Sequence, residues 1–169
     1  MLPHEVKIWN LFIEGVGYTG RAEELTLPTL TRKTEEYRAG GMNAPVELDM
    51  GMEKLEMDFT LREYSTEVLK QFAAPSATQV GLRFNAAALA DSAASATDSI
   101  EIVARGRWRE MEFGTQKVGD AAKLKVSVAL AYFKYSLNGE AIIEIDPVNY
   151  IEVIGGVDRL KEQRQALGM

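Results

Sequence analysis

Residues 35–52 read EEYRAGGMNAPVELDMGM, a stretch that joins a glycine-rich turn to a strand with strictly alternating side chains. The two glycines can take positive φ without a Cβ penalty, and the proline after them biases the preceding residue toward extended backbone. Val46, Leu48 and Met50 then point to one side of the strand, while the acids between them point to the other. The pattern predicts a contact surface and not a catalytic site.

A second alternating run follows at residues 55–61, where Glu56 and Asp58 are flanked by leucine, methionine and phenylalanine. The two runs are separated by only four residues, so together they predict a long β-hairpin arm from Val46 to Leu61. A small domain has limited core to cover such an apolar face. We therefore expect the face to lie on a neighbouring subunit.

Strand signals punctuated by Gly, Asn and Pro dominate the rest of the chain. Strand-like segments occur at residues 7–13, 24–30, 78–84, 100–109 and 124–132. Asn138-Gly139 predicts a tight type I′ hairpin turn, because that turn needs positive φ at both central positions.

Helical signals are few. Ser65 is placed to cap a helix running through Phe72, and residues 157–167 predict a C-terminal helix. The alanine-rich run at residues 85–98 predicts a mobile loop, with a short helix as the alternative. The expected fold is mainly β: a β-sandwich or rolled β-barrel with one or two flanking helices, formed by residues 1–169 as a single domain.

Composition narrows the classes of function. The chain of 169 residues has no cysteine, which excludes disulfides and thiolate metal sites. A formal net charge of −6 disfavours binding to nucleic acid through an overall positive field. The N-terminal residues lack the pattern of a signal peptide, and no run is long and apolar enough to predict a membrane span.

Two features could suggest cofactor or metal chemistry. Residues 15–20 read GVGYTG and match the dinucleotide fingerprint G-x-G-x-x-G, but the sequence leaves no room for the helix that must follow. A plain hairpin turn is the better interpretation. His4 is the only histidine and lies near a terminus expected to be mobile before assembly, which disfavours a metal site or a catalytic triad. We expect no cofactor.

Paired carboxylates give little support for a catalytic site. The neighbouring glutamates at 23–24 and at 35–36 point to opposite strand faces and cannot converge. Glu110 and Glu112 can share a face, so an acid–base dyad of a hydrolase remains an alternative, but a solvated surface is the preferred interpretation.

Arg105, Arg107 and Arg109 alternate along one strand face, and we call them the arginine stripe. The acidic total and the lack of interleaved aromatic residues for base stacking disfavour phosphate binding. We expect these arginines to pair with acids of this subunit or the next. The methionines near the predicted hairpin suit an adaptable interface, with core filling as the alternative: Met42, Met50, Met52 and Met57.

The block at residues 34–52, together with residues 144–149 and 154–168, resembles the major tail tube proteins of contractile-tailed bacteriophages and R-type pyocins. The similarity runs from the strand at residues 10–13 to the C-terminus. It weakens between Tyr64 and Asp98, where length and composition are particular to this chain.

The resemblance implies a structural protomer that forms stacked hexameric rings, the inner tail tube of a phage or a pyocin-like particle. Such a tube lies inside a sheath, encloses a tape-measure protein during assembly, and meets baseplate and tail terminator proteins. DNA or ions pass through it only as cargo. The resemblance further implies a fold similar to the type VI secretion tube protein, with the sheets of adjacent subunits joined into one barrel. It also implies that the protein has no enzymatic activity. We expect it to assemble in the host bacterial cytoplasm and to be part of the virion, without stable membrane association.

Two other functions stay open at this stage: a small monomeric or dimeric β-barrel that binds a ligand or protein, and the hydrolase. For the tube, we expect Glu56 and Asp58 to line the lumen, because their strand phase points them away from apolar neighbours. The expected inter-subunit contact residues are Arg38, Gly40, Gly41, Met42, Asn43, Pro45, Val46, Leu48, Met50, Met52, Arg105, Arg107 and Arg109.

Overall fold

The computed structural model describes residues 2–92 and 96–169. In chain order the strands are β1 His4–Ile13, β2 Val16–Gly17, β3 Ala22–Thr26, β4 Arg32–Tyr37, β5 Val46–Met52, β6 Leu55–Leu61, β7 Val80–Ala90, β8 Asp98–Glu112, β9 Leu124–Leu137, β10 Glu140–Asp146, β11 Ile151–Ile154 and β12 Val157–Asp158. The helices are α1 Thr66–Lys70 and α2 Lys161–Ala166. The predicted mainly β fold with short flanking helices is confirmed.

One branched sheet holds ten of these strands, in the order β12-β11-β10-β9-β8-β7-β1-β2, with β6 and then β3 attached to β9. The branch lies on β9, which pairs with β6 through residues 124–130 and with β10 through residues 133–137. The long β8–β9 hairpin therefore belongs to both halves of the sheet. Because the two halves pack against each other through shared core residues, the body is a rolled β-sandwich.

An irregularity in the pairing of β8 with β9 lies where this hairpin passes from one half of the sheet to the other. The register shifts between Arg105 and Gly106. A Cβ at Gly106 would collide with the carbonyl oxygen of Ala129 and come within 3.0 Å of Val128 Cγ1. Glycine is thus required where the two backbones approach most closely.

Two clusters of buried side chains fill the body. The larger lies between β1, β7 and the β6–β9 half, and α1 closes one side through Val68. Trp108 is buried there, donating its Nε1–H to the carbonyl oxygen of Val68 at 2.8 Å and packing edge-on against Phe59. The smaller cluster includes Phe84 and Phe133 and lies under β10.

The predicted hairpin from Val46 to Leu61 is wrong, because β5 pairs with β4 and not with β6. The apolar face of β6 is fully buried in the body, whereas that of β5 is exposed. The two alternating runs therefore belong to different sheets. Residues 53–54 form the corner between the sheets and not a hairpin turn.

The loop predicted at residues 85–98 is wrong for residues 85–90 and for Asp98, which begins β8, whereas residues 91–92 and 96–97 do connect the two strands. Residues 85–90 continue β7, with Ala86 and Ala88 buried. Small side chains suit a central strand that is packed closely by its neighbours. Residues 93–95 lie outside the described residues.

The hairpin turn at Asn138-Gly139 is confirmed, with φ of 51° and 83°. The C-terminal helix is shorter than expected, because Val157–Asp158 pairs with β11 as a strand. The first helix is also short, and Ser65 makes no capping hydrogen bond to its backbone. Its hydroxyl instead lies 3.0 Å from the buried Tyr18 hydroxyl.

Candidate assembly surfaces

A two-stranded hairpin of β4, β5 and the loop between them projects from the body, and we call residues 32–52 the arm. All of its residues from 32 to 50 are exposed except the half-buried Met42. An isolated two-stranded hairpin is marginally stable at best in water. An arm exposed on both faces therefore gains little stability from the body of its own protomer.

One face of the arm is mainly apolar, although Glu35, opposite Leu48, also lies on it. Tyr37 lies directly opposite Val46 across the hairpin. The exposed fractions are 50% for Tyr37, 46% for Val46, 44% for Leu48 and 54% for Met50. Sequence reasoning found the residues of β5 but missed Tyr37, although the glycine-rich turn between the two segments was a signal for this pairing. The face suits contact with another apolar surface.

The other face of the arm is acidic. Glu36 lies directly opposite Glu47, and Thr34 lies opposite Asp49. Like charges placed directly opposite each other destabilise a strand pair. Within residues 2–92 and 96–169, neither Glu36 nor Glu47 forms an ion pair. Their repulsion is thus uncompensated in the described protomer.

The tip of the arm contains most of the remaining predicted contact residues: Arg38, Gly40, Gly41, Met42, Asn43 and Pro45. The Met42 N–H donates to the Ala39 carbonyl oxygen at 3.2 Å, which closes a tight turn. Gly41 has φ of +86°, whereas Gly40 has no positive φ. The turn therefore requires glycine at one of the two positions.

Arg32 fixes the root of the arm. Its Nε donates to both carboxylate oxygens of Asp49, at 3.1 and 2.9 Å, and its Nη1 donates to Glu152 of β11. Glu152 is only 6% exposed. The hydrogen bond from Arg32 lowers the pKa of Asp49 and raises that of Arg32 itself. Sequence reasoning missed this clasp, because no pattern links residues 120 positions apart.

An apolar cavity of about 370 Å³ opens beside the root. Its lining includes Met52, Leu55, Leu130, Tyr150 and Leu160. Met52, one of the predicted contact residues, is half-buried here and packs against the smaller core cluster. The cavity adds to the apolar surface that the protomer leaves uncovered around the arm.

The arginine stripe lies on the outer face of β8, but its members differ in their partners. Arg109 pairs with Glu56 of the same chain. Arg105 and Arg107 are exposed and form no ion pair within the described part of the chain. Tyr132, opposite Arg105, supplies no negative charge, because burial and the charge of Glu144 raise its pKa to about 12.

Glu56 and Asp58 lie on the outer face of β6, as their strand phase predicted. Glu56 and Arg107 are both cross-strand partners of Ala129, so these acids share a sheet face with the arginine stripe. A hydrogen bond from Lys54, aided by the charge of Arg109, lowers the pKa of Glu56. This face carries both signs of charge.

The first strand provides an open sheet edge. β1 pairs with β7 along one side but with β2 only at Phe12 and Ile13. Its exposed Ile8 sits on that unprotected stretch. Unpaired edges are templates for further strands. Contrary to the expectation of a mobile terminus, His4 is part of β1, and its Nδ1 lies 2.5 Å from Asp98 Oδ2.

The residues weighed for cofactor, metal or acid–base chemistry lie in turns and on exposed strand faces. Within residues 15–20, Gly15 completes the turn from β1, Val16–Gly17 is β2, and the strand β3 follows in place of a helix. In the described residues, no three histidine or acidic side chains are grouped to hold a metal ion. Glu110 and Glu112 are exposed on β8. Neither described helix has the length and apolarity needed to cross a membrane.

Comparisons with known proteins give one consistent result. A family profile described as "Phage tail tube protein FII" matches residues 3–168. The tail tube protein of Escherichia phage P2 is 37% identical over 171 residues, covering 99% of both chains. The major tail tube protein of Serratia phage KSP20 is 28% identical and covers 89% of this chain and 86% of its own.

Among solved structures, a sheath/tube terminator of an extracellular contractile injection system aligns with a TM-score of 0.61. The alignment covers 80% of this chain and 98% of the terminator, at 10% identity. At that identity the likeness concerns the fold alone.

Proposed function

This chain belongs to the phage tail tube protein FII family, and from that premise we propose that it closes into stacked hexameric rings forming the inner tube of a contractile tail. Residues 1–169 act as one tail tube domain. The observation that carries the proposal is the exposed arm, whose apolar face has no cover in its own protomer. A subunit repeated around a ring supplies that cover at every position.

The inter-subunit contacts use three parts of the protomer. The arm tip and the apolar face of β5 contact neighbouring copies within and between rings, and the open edge of β1 extends the sheet into an adjacent subunit. Arg105 and Arg107 pair with acids of another copy, because they form no ion pair with the described residues of their own chain. Closure of this kind removes exposed strand edges.

The partners of the tube follow from its place in the tail. The outer surface meets the sheath protein, and the channel encloses the tape-measure protein during assembly. The tube ends meet baseplate and tail terminator proteins. DNA passes only as cargo, the subunit performs no catalysis, and assembly takes place in the host bacterial cytoplasm.

Negative-stain electron microscopy of the purified protein tests the proposal. We expect rings with six-fold symmetry or tubes built from them, and sedimentation of large particles at the same concentration. Compact particles of one or two copies at every concentration would instead support a small β-barrel binding module. A dimer in which the second copy covers the arm would contradict the hexameric ring but would still show that the arm mediates self-association.

A further inference from the structure

The two free arginines of the stripe and the two opposed acids of the arm are complementary in number and sign. Arg105 and Arg107 stand two residues apart on one face of β8, roughly 7 Å along the strand. Glu36 and Glu47 face each other across the arm, a pairing that puts their Cβ atoms about 5 Å apart. Arginine side chains are long enough to close that difference and can grip a carboxylate with two N–H donors.

The two surfaces do not meet within one protomer. Glu36 and Glu47 are exposed on the arm, and Arg105 and Arg107 are exposed on the body, with no contact between the pairs. The clasp of Arg32 to the buried Glu152 fixes the direction in which the arm leaves the body. In the described protomer the acidic face therefore lies apart from its own β8 and is open to another molecule.

Other exposed acids fit the stripe less well. Glu110 and Glu112 belong to β8 itself and extend beyond Arg109 along the same strand. The rigid body holds them, so they cannot approach the stripe of another copy without the bodies meeting face to face. The arm alone combines two adjacent acids with a projecting support.

We infer that the outer face of β8 at Arg105 and Arg107 is a docking surface for the acidic face of the arm of a second copy. The inference rests on the proposed function and names the contact that joins two subunits. Docking offsets the repulsion between Glu36 and Glu47, because each carboxylate then pairs with an arginine of the second copy. The apolar face of the same arm stays free to contact a third surface, so one arm can connect several subunits.

Charge reversal tests the contact in three variants. The first is Glu36→Arg with Glu47→Arg, the second is Arg105→Glu with Arg107→Glu, and the third combines all four changes. Glu110→Arg with Glu112→Arg is the control matched to the first variant, because it makes the same charge change of +4 on exposed β8 residues outside the docking surface. Assembled fraction is measured by sedimentation and electron microscopy, and circular dichroism checks that each protomer is folded.

We expect each two-residue reversal to raise the concentration needed for assembly about tenfold, since two exposed pairs become repulsive in every subunit. The fourfold variant restores assembly to near the wild-type level, and the control leaves it unchanged. Salt weakens the difference between variants, because exposed charges are screened.

Normal assembly of both two-residue variants, or a fourfold variant as defective as either, would overturn the inference while leaving the tube itself intact. Failure of the wild-type protein to form rings or tubes would overturn the proposed function, and the docking contact with it. A control as defective as the test variants would show that total charge, and not this contact, governs assembly.

Discussion

At the scale of single residues, Gly106 is a glycine that the fold cannot replace without a backbone clash. We expect Gly106→Val to lower the free energy of unfolding by about 3 kcal/mol, because the new side chain collides with the Ala129 backbone. Urea unfolding of the protomer measures the change. Gly40→Val is the matched control, since nothing lies within 4 Å of a Cβ there, and its effect should stay within about 0.5 kcal/mol. Equal stability of the two variants would refute the close approach.

A second prediction at this scale concerns the contribution of Arg32 to the free energy of unfolding. Arg32→Gln leaves the carboxylate of Glu152 buried without its partner, at a cost of about 1–3 kcal/mol. Replacing both residues, Arg32→Gln with Glu152→Gln, removes the orphaned charge and should recover part of that loss. Urea unfolding of the two single variants, the double variant and the wild type gives the coupling energy. A coupling energy near zero would mean that the clasp does not hold the arm.

At the scale of elements, attachment of the arm should depend on pH. The pKa of Asp49 is lowered from its ordinary 3.8, chiefly by the hydrogen bond from Arg32. A lowered folded pKa gives stabilisation that is fully present above pH 3.8 and is lost as the pH falls through the folded value. The protection factors of the β4–β5 amides, which remove the intrinsic pH dependence of hydrogen exchange, should therefore fall below pH 3.8 in the protomer. The Asp49→Asn variant should show low protection at every pH, and wild-type protection factors that do not change with pH would contradict the argument.

Substitutions at the tip of the arm test whether assembly depends on the conformation of the turn or on the surface of the tip. Gly41→Val places a β-branched residue at φ of +86°, which costs about 1–2 kcal/mol and should disturb the turn that presents the arm. We expect the variant to lose ring and tube formation in electron micrographs while its β circular-dichroism signal remains. Gly40→Val has the same side chain without a positive φ and should assemble. If Gly40→Val failed equally, the surface of the tip would matter and not its turn geometry.

The sequence predicted elements wherever period and turn chemistry agreed. The long strands β8 and β9 and the Asn138-Gly139 turn were visible because alternation and glycine act locally. The pairing of the strands could not be predicted from the sequence, because β5 and β6 have the same alternation. Only long-range packing decides that β6 belongs to the core and β5 to the arm. The alanines of β7 failed as a signal because small residues lack strand propensity, although tight packing selects them.

At the scale of the assembly, the proposed lumen depends on two acids whose surroundings differ. Glu56 is paired with Lys54 and Arg109, so its ring of charges is largely offset within each subunit. Asp58, on the same face, has no such pair in the described residues. If this face lines the channel, Asp58 is the main source of negative potential, because symmetry repeats it around a narrow space. With Arg105 and Arg107 of the same face covered by docked arms, as inferred above, such a wall would keep phosphates from adhering to it.

Cysteine labelling locates that face. In tubes of the variants Glu56→Cys and Asp58→Cys, a reagent too bulky for the channel should react slowly, while the unassembled protomers react fast, because both positions lie on the outer face of β6. A small thiol reagent that enters the channel should label the tubes and the protomers alike, which shows that the thiols remain reactive. The parent chain has no cysteine, so all labelling reports on the introduced residue. Rapid labelling of assembled tubes by the bulky reagent would place this face outside the channel and overturn the lumen assignment of Glu56 and Asp58.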